Sequence, residues 1–324
     1  MRLIDIGVNL TDSVFACTGT TATAQSNLNV LLSRAKNLSG IQKIIITGTS
    51  HDESLKALQL AQQNEMLYCT LGCHPTSCVQ EKVSADPDAY FDRLMQIYHH
   101  EQKQEQQQQQ EQQNDTRTRK IVAIGECGLD WARLQWADKE SQMDCFLRHF
   151  ELAKQTGLPM FIHDRDTQGT VIDLLAKHHG SHFHRAVVHS FTGTKRDVQD
   201  IVTRLPGVYI SVNGCSLRSE EGCAVVKDIP LDRLMVETDA PWCAIRKTSA
   251  AHKLLSEQSQ KKNDQRIWEA SAKSLSPVFA RGMIEPCALV QVVEAVAALK
   301  GISAEAVAEA TWQNTIDCFG FTDR

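Results

Sequence analysis

The chain has 324 residues and a net charge of −5 at pH 7, because its 39 acidic residues outnumber its 34 basic ones. This length suits one large domain or two ordinary ones, and the charge excludes a basic protein that wraps nucleic acid through overall electrostatics. Its eleven cysteines include no Cys-x-x-Cys pair, which predicts free thiols in a reducing compartment rather than a disulfide framework.

Short apolar runs predict eight strands, and most are apolar throughout, as strands buried on both faces are. They are Leu3–Val8, Lys43–Thr47, Tyr68–Gly72, Lys120–Gly125, Pro159–Ile162, Ala186–Val188, Val208–Val212 and Leu234–Glu237. Between them, apolar residues repeat with helical spacing over Ser54–Gln63, Ser141–Gln155 and Thr167–His178. Alternating strands and helices of this number are typical of an α/β fold, the (β/α)₈ TIM barrel. A doubly wound open sheet is the competing topology.

Two stretches interrupt this alternation. Glu101–Gln113 holds nine glutamines in thirteen residues and no apolar residue, which predicts a low-complexity insert or a frayed helix extension before the fourth strand. Cys243–Gly282 follows the eighth strand, so we expect it to form a partly mobile cover on the rim where the strands end. Neither stretch indicates a domain boundary, and we predict a single barrel over residues 1–324.

Polar side chains recur where the predicted strands end, which is the rim that carries the active site in TIM barrels. His74 follows the third strand, Glu126 the fourth, His163 the fifth and His189 the sixth, while Asp239 follows the eighth. Imidazole combined with carboxylate suits Zn, Mn or Mg. Four ionisable groups at one apolar mouth would repel one another or lack solvation without a cation. We therefore predict that Glu126, His163, His189 and Asp239 bind one or two divalent cations.

Six segments in this order resemble the TatD deoxyribonucleases. They are Ile4–Thr11, Gly72–Pro75, Ala123–Asp130, Phe161–Asp166, Val188–Gly193 and Glu237–Trp242. Two further segments, Asn213–Ser216 and Ala240–Cys243, are similar to the eukaryotic TatD-domain-containing 1 branch in particular. The resemblance implies an amidohydrolase-like barrel and a metal-dependent hydrolase of DNA phosphodiesters. It also implies Glu126, His163, His189 and Asp239 as metal ligands, with His74, Glu237 and Glu285 as supporting residues of the site.

The chain departs from the family pattern at three places, one of which is Asp164, where a small or thiol residue usually follows the histidine of the fifth strand. Many TatD-like proteins have a His-x-His pair after the first strand, where this chain has Gly7 and Asn9. We therefore expect one tightly held cation, with Mg²⁺ favoured over Mn²⁺ or Zn²⁺, and a second that arrives with the substrate phosphate. The family segment Arg-Asn-Glu-Pro occurs here as Met283–Pro286, which retains Glu285 without its basic and amide neighbours.

The predicted reaction is attack by a water whose pKa a cation lowers from ~15.7 toward ~7. Asp239 is the candidate proton acceptor, Glu126 would lie between two cations, and His74 would bind the scissile phosphate or protonate the leaving oxygen. Arg165 on the rim can contact a phosphate. Trp242 either stacks on a terminal base, which favours trimming from an end, or packs within the rim.

Two other functions remain open from the sequence. The same cation and Asp239 could open an amide or ester, including an aminoacyl ester, or a decayed site could leave a nucleic-acid-binding module without catalysis. We expect DNA as the partner, no membrane and no obligate protein partner. No secretory signal is visible. A membrane span is not expected either, since the most apolar stretch, Cys287–Leu299, contains Gln291 and Glu294. The expected location is the cytoplasm, the nucleus or both.

Overall fold

Eight parallel strands form one sheet in a computed structural model that describes residues 1–15, 17, 21–81, 83, 86–111, 119–262 and 283–322. The strands are β1 (Leu3–Val8), β2 (Ile41–Ile46), β3 (Leu67–Leu71), β4 (Ile121–Asp130), β5 (Met160–Arg165), β6 (Ala186–His189), β7 (Val208–Val212) and β8 (Leu234–Val236). Each strand pairs in parallel with the next one along the chain. The backbone amide of Asp239 donates to Gly7 O at 2.9 Å, which joins the segment after β8 to β1. The predicted (β/α)₈ barrel is confirmed over the doubly wound sheet.

Helices alternate with the strands and cover the outside of the sheet. They are α1 (Ala22–Ser39), α2 (His51–Ala61), α3 (Pro87–Glu111), α4 (Lys139–Thr156), α5 (Thr170–His178), α6 (Lys195–Arg204), α7 (Glu220–Asp228), α8 (Glu257–Lys262), α9 (Leu289–Lys300) and α10 (Ala304–Phe319). Two predicted helices begin two or three residues earlier than expected. The side chains of Ser50 and Asp138 accept hydrogen bonds from the first turns of α2 and α4, and these caps fix both starts.

β4 differs most from its prediction. It continues for five residues past Gly125, with a register shift against β5 between Ile124 and Cys127, so Glu126 lies inside the strand and not at its end. Gly128 has φ +141°, and a Cβ there would lie 2.0 Å from the carbonyl oxygen of His163. Only glycine permits this approach of β4 to β5. β8 ends one residue before Glu237, which therefore belongs to the loop.

The interior of the barrel is apolar toward the end where the strands begin. Ile4, Ile6, Phe161 and Met235 belong to one buried cluster together with Trp312 of α10. The cluster closes the bottom of the barrel, so the polar side chains of the interior are left at the opposite, C-terminal mouth. The architecture thus directs the search for a functional site to that mouth.

The Gln-rich stretch continues α3 as far as Glu111, and residues 112–118 lie outside the described residues. Its first residue, Glu101, is buried, and its carboxylate accepts hydrogen bonds from the backbone amides of Lys120 and Ile121 at the start of β4. Residues 263–282 of the predicted cover also lie outside the described residues. Within the described ranges, no single helix is long and apolar enough to cross a membrane; Pro286–Lys300 with Ala304–Phe319 passes only as a pair bent by 110°, on length and composition alone.

Candidate active site

Three side chains from neighbouring strands meet at the mouth of the barrel. Oε1 of Glu126 on β4 lies 2.8 Å from Nδ1 of His163 on β5 and 2.8 Å from Nε2 of His189 on β6. The two nitrogens are 3.4 Å apart. Parallel pairing places His163 opposite His189 in register, which is why residues far apart in the chain share one face here.

In this group, burial and the neighbouring charges shift the pKa values in opposite directions. Burial by itself raises the pKa of Glu126, but the imidazoles of His189, His74 and His163 outweigh it and hold that pKa well below its usual range. Burial lowers the pKa of His189, yet the carboxylates of Glu126 and Glu237 raise it well above its usual range. Burial lowers the pKa of His163, but the neighbouring carboxylates of Asp130 and Glu126 raise it above its usual value. Positive charge is therefore favoured at this point, whether a proton or a cation supplies it.

The donor atoms suit a divalent cation. Ligands that share a cation through bonds of ~2.1 Å lie roughly 3 to 3.4 Å from one another. The three separations of 2.8, 2.8 and 3.4 Å are close to this spacing. Glu126, Glu237 and Asp130 are nearly or fully buried carboxylates in the mouth. A cation would neutralise part of this buried negative charge.

Asp239 lies beside this group rather than within it. Among the described residues, Glu126, His163 and His189 form a set of donor atoms within 4.8 Å, and Asp239 is not part of it. Its Oδ1 accepts from Nδ2 of Asn9 at 2.9 Å, and its Oδ2 accepts from Sγ of Cys243 at 3.2 Å. Burial raises the pKa of Asp239 to about 6. Its assignment as a metal ligand stays a prediction.

A buried carboxylate on β1 holds the loop that carries Asp239. Asp5 is fully buried and accepts from the backbone amide of Thr238 at 2.9 Å and from Oγ1 of Thr238 at 2.6 Å. These bonds tie the end of β8 to β1 across the closure of the barrel. The sequence placed Asp5 at the first strand but gave no sign of this role.

His74 presents a nitrogen with a fixed proton to the mouth. Its Nδ1 lies 2.7 Å from Oγ1 of Thr76, which can donate or accept, and 3.2 Å from the backbone amide of Thr76, which can only donate, so the proton of the neutral ring is on Nε2. That Nε2 lies 3.4 Å from Oε1 of Glu126. Burial lowers the pKa of His74 to about 3, although Glu126 acts to raise it. His74 is therefore neutral at pH 7 and serves as a hydrogen-bond donor.

Comparison with known proteins identifies the family. A family model described as TatD related DNase matches residues 4–320. The chain belongs to the TatD related DNase family. Deoxyribonuclease Tat-D of Schizosaccharomyces pombe is 34% identical over 98% of this chain and 95% of its own length. The 3'-5' ssDNA/RNA exonuclease TatD of Erwinia amylovora is 31% identical over 98% of this chain and 100% of its own.

A solved structure supports the same assignment. The crystal structure of a hydrolase TatD family protein from Entamoeba histolytica is similar with a TM-score of 0.77 and 28% identity, and the match covers 98% of both chains. The resemblance to TatD deoxyribonucleases is thus confirmed, and the protein is an enzyme of the TatD hydrolase family. The amidohydrolase-like fold of this family implies use of a divalent metal, for which Glu126, His163 and His189 are the fitting residues.

Two residues that contact the candidate site escaped the sequence analysis. Asp130 at the end of β4 lies 3.4 Å from Nε2 of His163 and is fully buried. Asn213 after β7 donates from Nδ2 to Oε1 of Glu237 at 2.9 Å. Alternation along β4 puts Glu126 and Asp130 on the same face, and this signal was lost because the predicted strand stopped at Gly125.

The remaining predicted residues have different surroundings. Glu237 is buried and lies 3.4 Å from Nδ1 of His189, with Ser190 N donating to it at 2.7 Å. Arg165 is exposed at the end of β5, and Trp242 is 50% exposed. Glu285 is not brought to this group, since both its carboxylate oxygens accept from the guanidinium of Arg34 on α1, at 2.6 and 2.7 Å. This buried ion pair indicates a structural role for Glu285, and its binding of substrate stays a prediction.

Proposed function

We propose that this TatD-family enzyme is a divalent-metal-dependent deoxyribonuclease that hydrolyses phosphodiester bonds and trims single-stranded DNA from an end. One observation carries the proposal: Oε1 of Glu126, Nδ1 of His163 and Nε2 of His189 converge within 3.4 Å of one another at the barrel mouth. The names of two relatives support the substrate class, a deoxyribonuclease in Schizosaccharomyces pombe and a 3'-5' ssDNA/RNA exonuclease in Erwinia amylovora.

Mg²⁺ is the proposed working cation, with Mn²⁺ and Zn²⁺ as substitutes to be tested. Glu126, His163 and His189 would hold it, with Asp239 beside them. When bound there, such a cation polarises a phosphoryl oxygen and lowers the pKa of a water from ~15.7 toward ~7.

The residues around the mouth then have distinct tasks. His74 donates a hydrogen bond from Nε2 to a phosphate oxygen, because a pKa lowered to about 3 leaves the ring neutral near pH 7, with no imidazolium proton to give to the leaving group. Asp239 accepts the proton of the attacking water, and a pKa of about 6 suits a base that works near neutral pH. Arg165 contacts a neighbouring phosphate from the exposed end of β5, and the exposed ring of Trp242 stacks on the terminal base.

A single cation is held tightly in this proposal, and a second arrives with the substrate. Asn9, which occupies the sequence position of a family histidine, donates its side-chain amide to Asp239 at 2.9 Å and so offers a hydrogen-bond donor where an imidazole could offer a metal ligand. At Gly7 even a Cβ would lie 3.1 Å from Oε2 of Glu237. Calorimetric titration of the protein with Mn²⁺ in the absence of DNA should give one tight site. Two tight sites of similar affinity would contradict the proposal.

The direct test uses a single-stranded DNA labelled at one end. The wild-type protein should shorten it with Mg²⁺ and leave it intact with EDTA. Asp239→Asn should abolish turnover while the circular dichroism spectrum and the urea midpoint stay close to wild type. Asp92→Asn, on the exposed side of α3, is the matched control and should retain full activity.

Other outcomes select the alternative functions. Intact DNA together with metal-dependent hydrolysis of an ester panel would replace the nuclease by an ester or amide hydrolase. DNA binding without turnover of any substrate would indicate a binding module. Labelled RNA of the same sequence, assayed in parallel, shows whether the enzyme distinguishes the sugar.

A further inference from the structure

Asp130 is a buried carboxylate that the proposed reaction leaves without a task. Its side chain is fully buried, and among the described residues neither carboxylate oxygen has a hydrogen-bond partner at normal distance. The nearest cations or donors are Nε2 of His163 at 3.4 Å and Nε of Arg133 at 3.6 Å. A buried carboxylate with so few partners is costly to keep, which calls for a specific role.

Two hydrogen bonds to the side chain of Gln142 fix the backbone of Asp130. Gln142 of α4, itself fully buried, accepts from the amide of Asp130 at 2.8 Å and donates to its carbonyl oxygen at 3.0 Å. Nε2 of Gln142 also donates to the carbonyl oxygen of Ala137 at 2.8 Å. This clamp holds the end of β4 beside β5, so the Asp130 carboxylate has a defined position relative to His163.

The imidazole of His163 lies between two carboxylates. Nδ1 faces Glu126 at 2.8 Å, and Nε2 faces Asp130 at 3.4 Å. A neutral imidazole carries a single proton, and a hydrogen bond at one nitrogen decides which nitrogen is free to bind a metal. Both partners can only accept, so a cation bound between Glu126 and Nδ1 would leave the single proton on Nε2, where it faces the carboxylate of Asp130.

We propose that Asp130 is a positioning residue, whose carboxylate accepts a hydrogen bond from Nε2–H of His163 and so presents Nδ1 of that ring to the cation. The inference rests on the proposed metal site and adds a residue to it.

His189 shows the same arrangement with its nitrogens exchanged. Its Nε2 faces Glu126 at 2.8 Å, and its Nδ1 faces Oε1 of Glu237 at 3.4 Å. Glu237 is further held by the amide of Ser190 and by Nδ2 of Asn213. Each imidazole thus lies between two carboxylates, and a cation beside Glu126 would bind Nδ1 of His163 but Nε2 of His189.

Asp130 also belongs to a second set of possible metal ligands, together with His74 and His163. Two contacts argue against that use. Nε2 of His74 carries its proton, because Nδ1 accepts from the amide of Thr76. His163 would have to offer Nε2 and direct a protonated Nδ1 at Glu126, which would remove it from the first set. Asp130 as a ligand is therefore an outcome that the experiment must distinguish.

The experiment compares Asp130→Ala and Asp130→Asn with wild type by Mn²⁺ titration followed by electron paramagnetic resonance. Loss of such a carboxylate behind a ligating imidazole typically weakens metal binding ~10- to 100-fold. We expect a change of this size for Asp130→Ala with one Mn²⁺ still bound. A smaller loss is expected for Asp130→Asn, since its amide oxygen can still accept from Nε2–H. Asp164→Asn is the matched control, because Asp164 follows His163 directly but bonds to Thr167 at 2.6 Å; its Kd should change less than threefold.

Nitrogen-15 spectra of the histidine rings provide a readout that altered folding would not produce. In the Mg²⁺-loaded wild type His163 should be protonated at Nε2 alone, whereas in Asp130→Ala the ring is free to turn and bind through Nε2 as well, so signals of both protonation states should appear. An unchanged Kd and an unchanged tautomer in Asp130→Ala, with wild-type metal binding intact, would overturn the inference alone. Loss of a whole equivalent of bound metal would overturn it by making Asp130 a ligand. Absence of metal binding in the wild type would overturn the proposed function as well.

Discussion

A methyl group at Gly128 tests whether the contact between β4 and β5 holds the candidate site together. In Gly128→Ala the new Cβ would lie 2.0 Å from the carbonyl oxygen of His163, whereas ordinary contacts begin at 3.4 Å. The two strands must therefore separate by more than 1 Å, or the chain must rotate away from φ +141°. Strain of ~1–3 kcal/mol and the loss of about one ladder hydrogen bond together predict a destabilisation of roughly 2–4 kcal/mol.

The same displacement moves His163 away from Glu126 and His189. We expect Mn²⁺ binding to weaken by about 10- to 100-fold, as it does when the groups that orient a ligand are lost. Urea denaturation measures the stability, and electron paramagnetic resonance measures the Kd for Mn²⁺. Gly157→Ala is the matched control, because Gly157 also has positive φ, at +67°, but nothing lies within 4 Å of its added Cβ. The control should cost about 1 kcal/mol and leave the Kd unchanged. Equal effects of the two substitutions on both quantities would mean that the contact between β4 and β5 does not hold the candidate site together.

Three further predictions concern residues around the site. Glu285→Ala leaves Arg34 buried without its partner and should lower the free energy of unfolding by about 3–5 kcal/mol. The Kd for Mn²⁺ should not change. Normal stability together with a raised KM for DNA would instead support substrate binding by Glu285. Burial lowers the pKa of His149 to about 4, so the unfolded chain takes up this proton first and stability falls as the pH falls from 6.5 toward 4. This group should lower the free energy of unfolding by about 3 kcal/mol over that range. Urea denaturation at several pH values should therefore show a shallower decline of stability for His149→Gln than for wild type, and an equal decline would contradict the lowered pKa of His149. Trp242→Ala should raise the KM for single-stranded DNA by ~5- to 100-fold with little change in kcat, and an unchanged KM would mean that the ring only packs.

The barrel was predictable because its strands are buried on both faces and so form short apolar runs. The three residues that converge were predictable for a related reason, since polar groups after such runs must lie on one rim. The extension of β4 was not predictable, because a glycine next to a glutamate reads as the end of a strand. Here Gly125 and Gly128 instead allow the strand to continue in close contact with β5, which brings Asp130 into the site.

Long-range partners account for the other differences. Arg34 and Glu285 are 251 residues apart in the chain, and nothing local to either residue indicates that they form a buried pair. Asn9 was expected to supply no strong ligation to a cation, and in the structure its amide donates to Asp239. A residue type restricts what a side chain can do, but the partner that it meets decides which of those roles it takes.

Anomalous diffraction from a crystal loaded with Mn²⁺ would locate the cation itself. The proposed metal site predicts one strong peak within about 2.3 Å of Oε1 of Glu126, Nδ1 of His163 and Nε2 of His189. A peak bound instead by Nε2 of His163 with Asp130 and His74, or no peak at the barrel mouth, would contradict it.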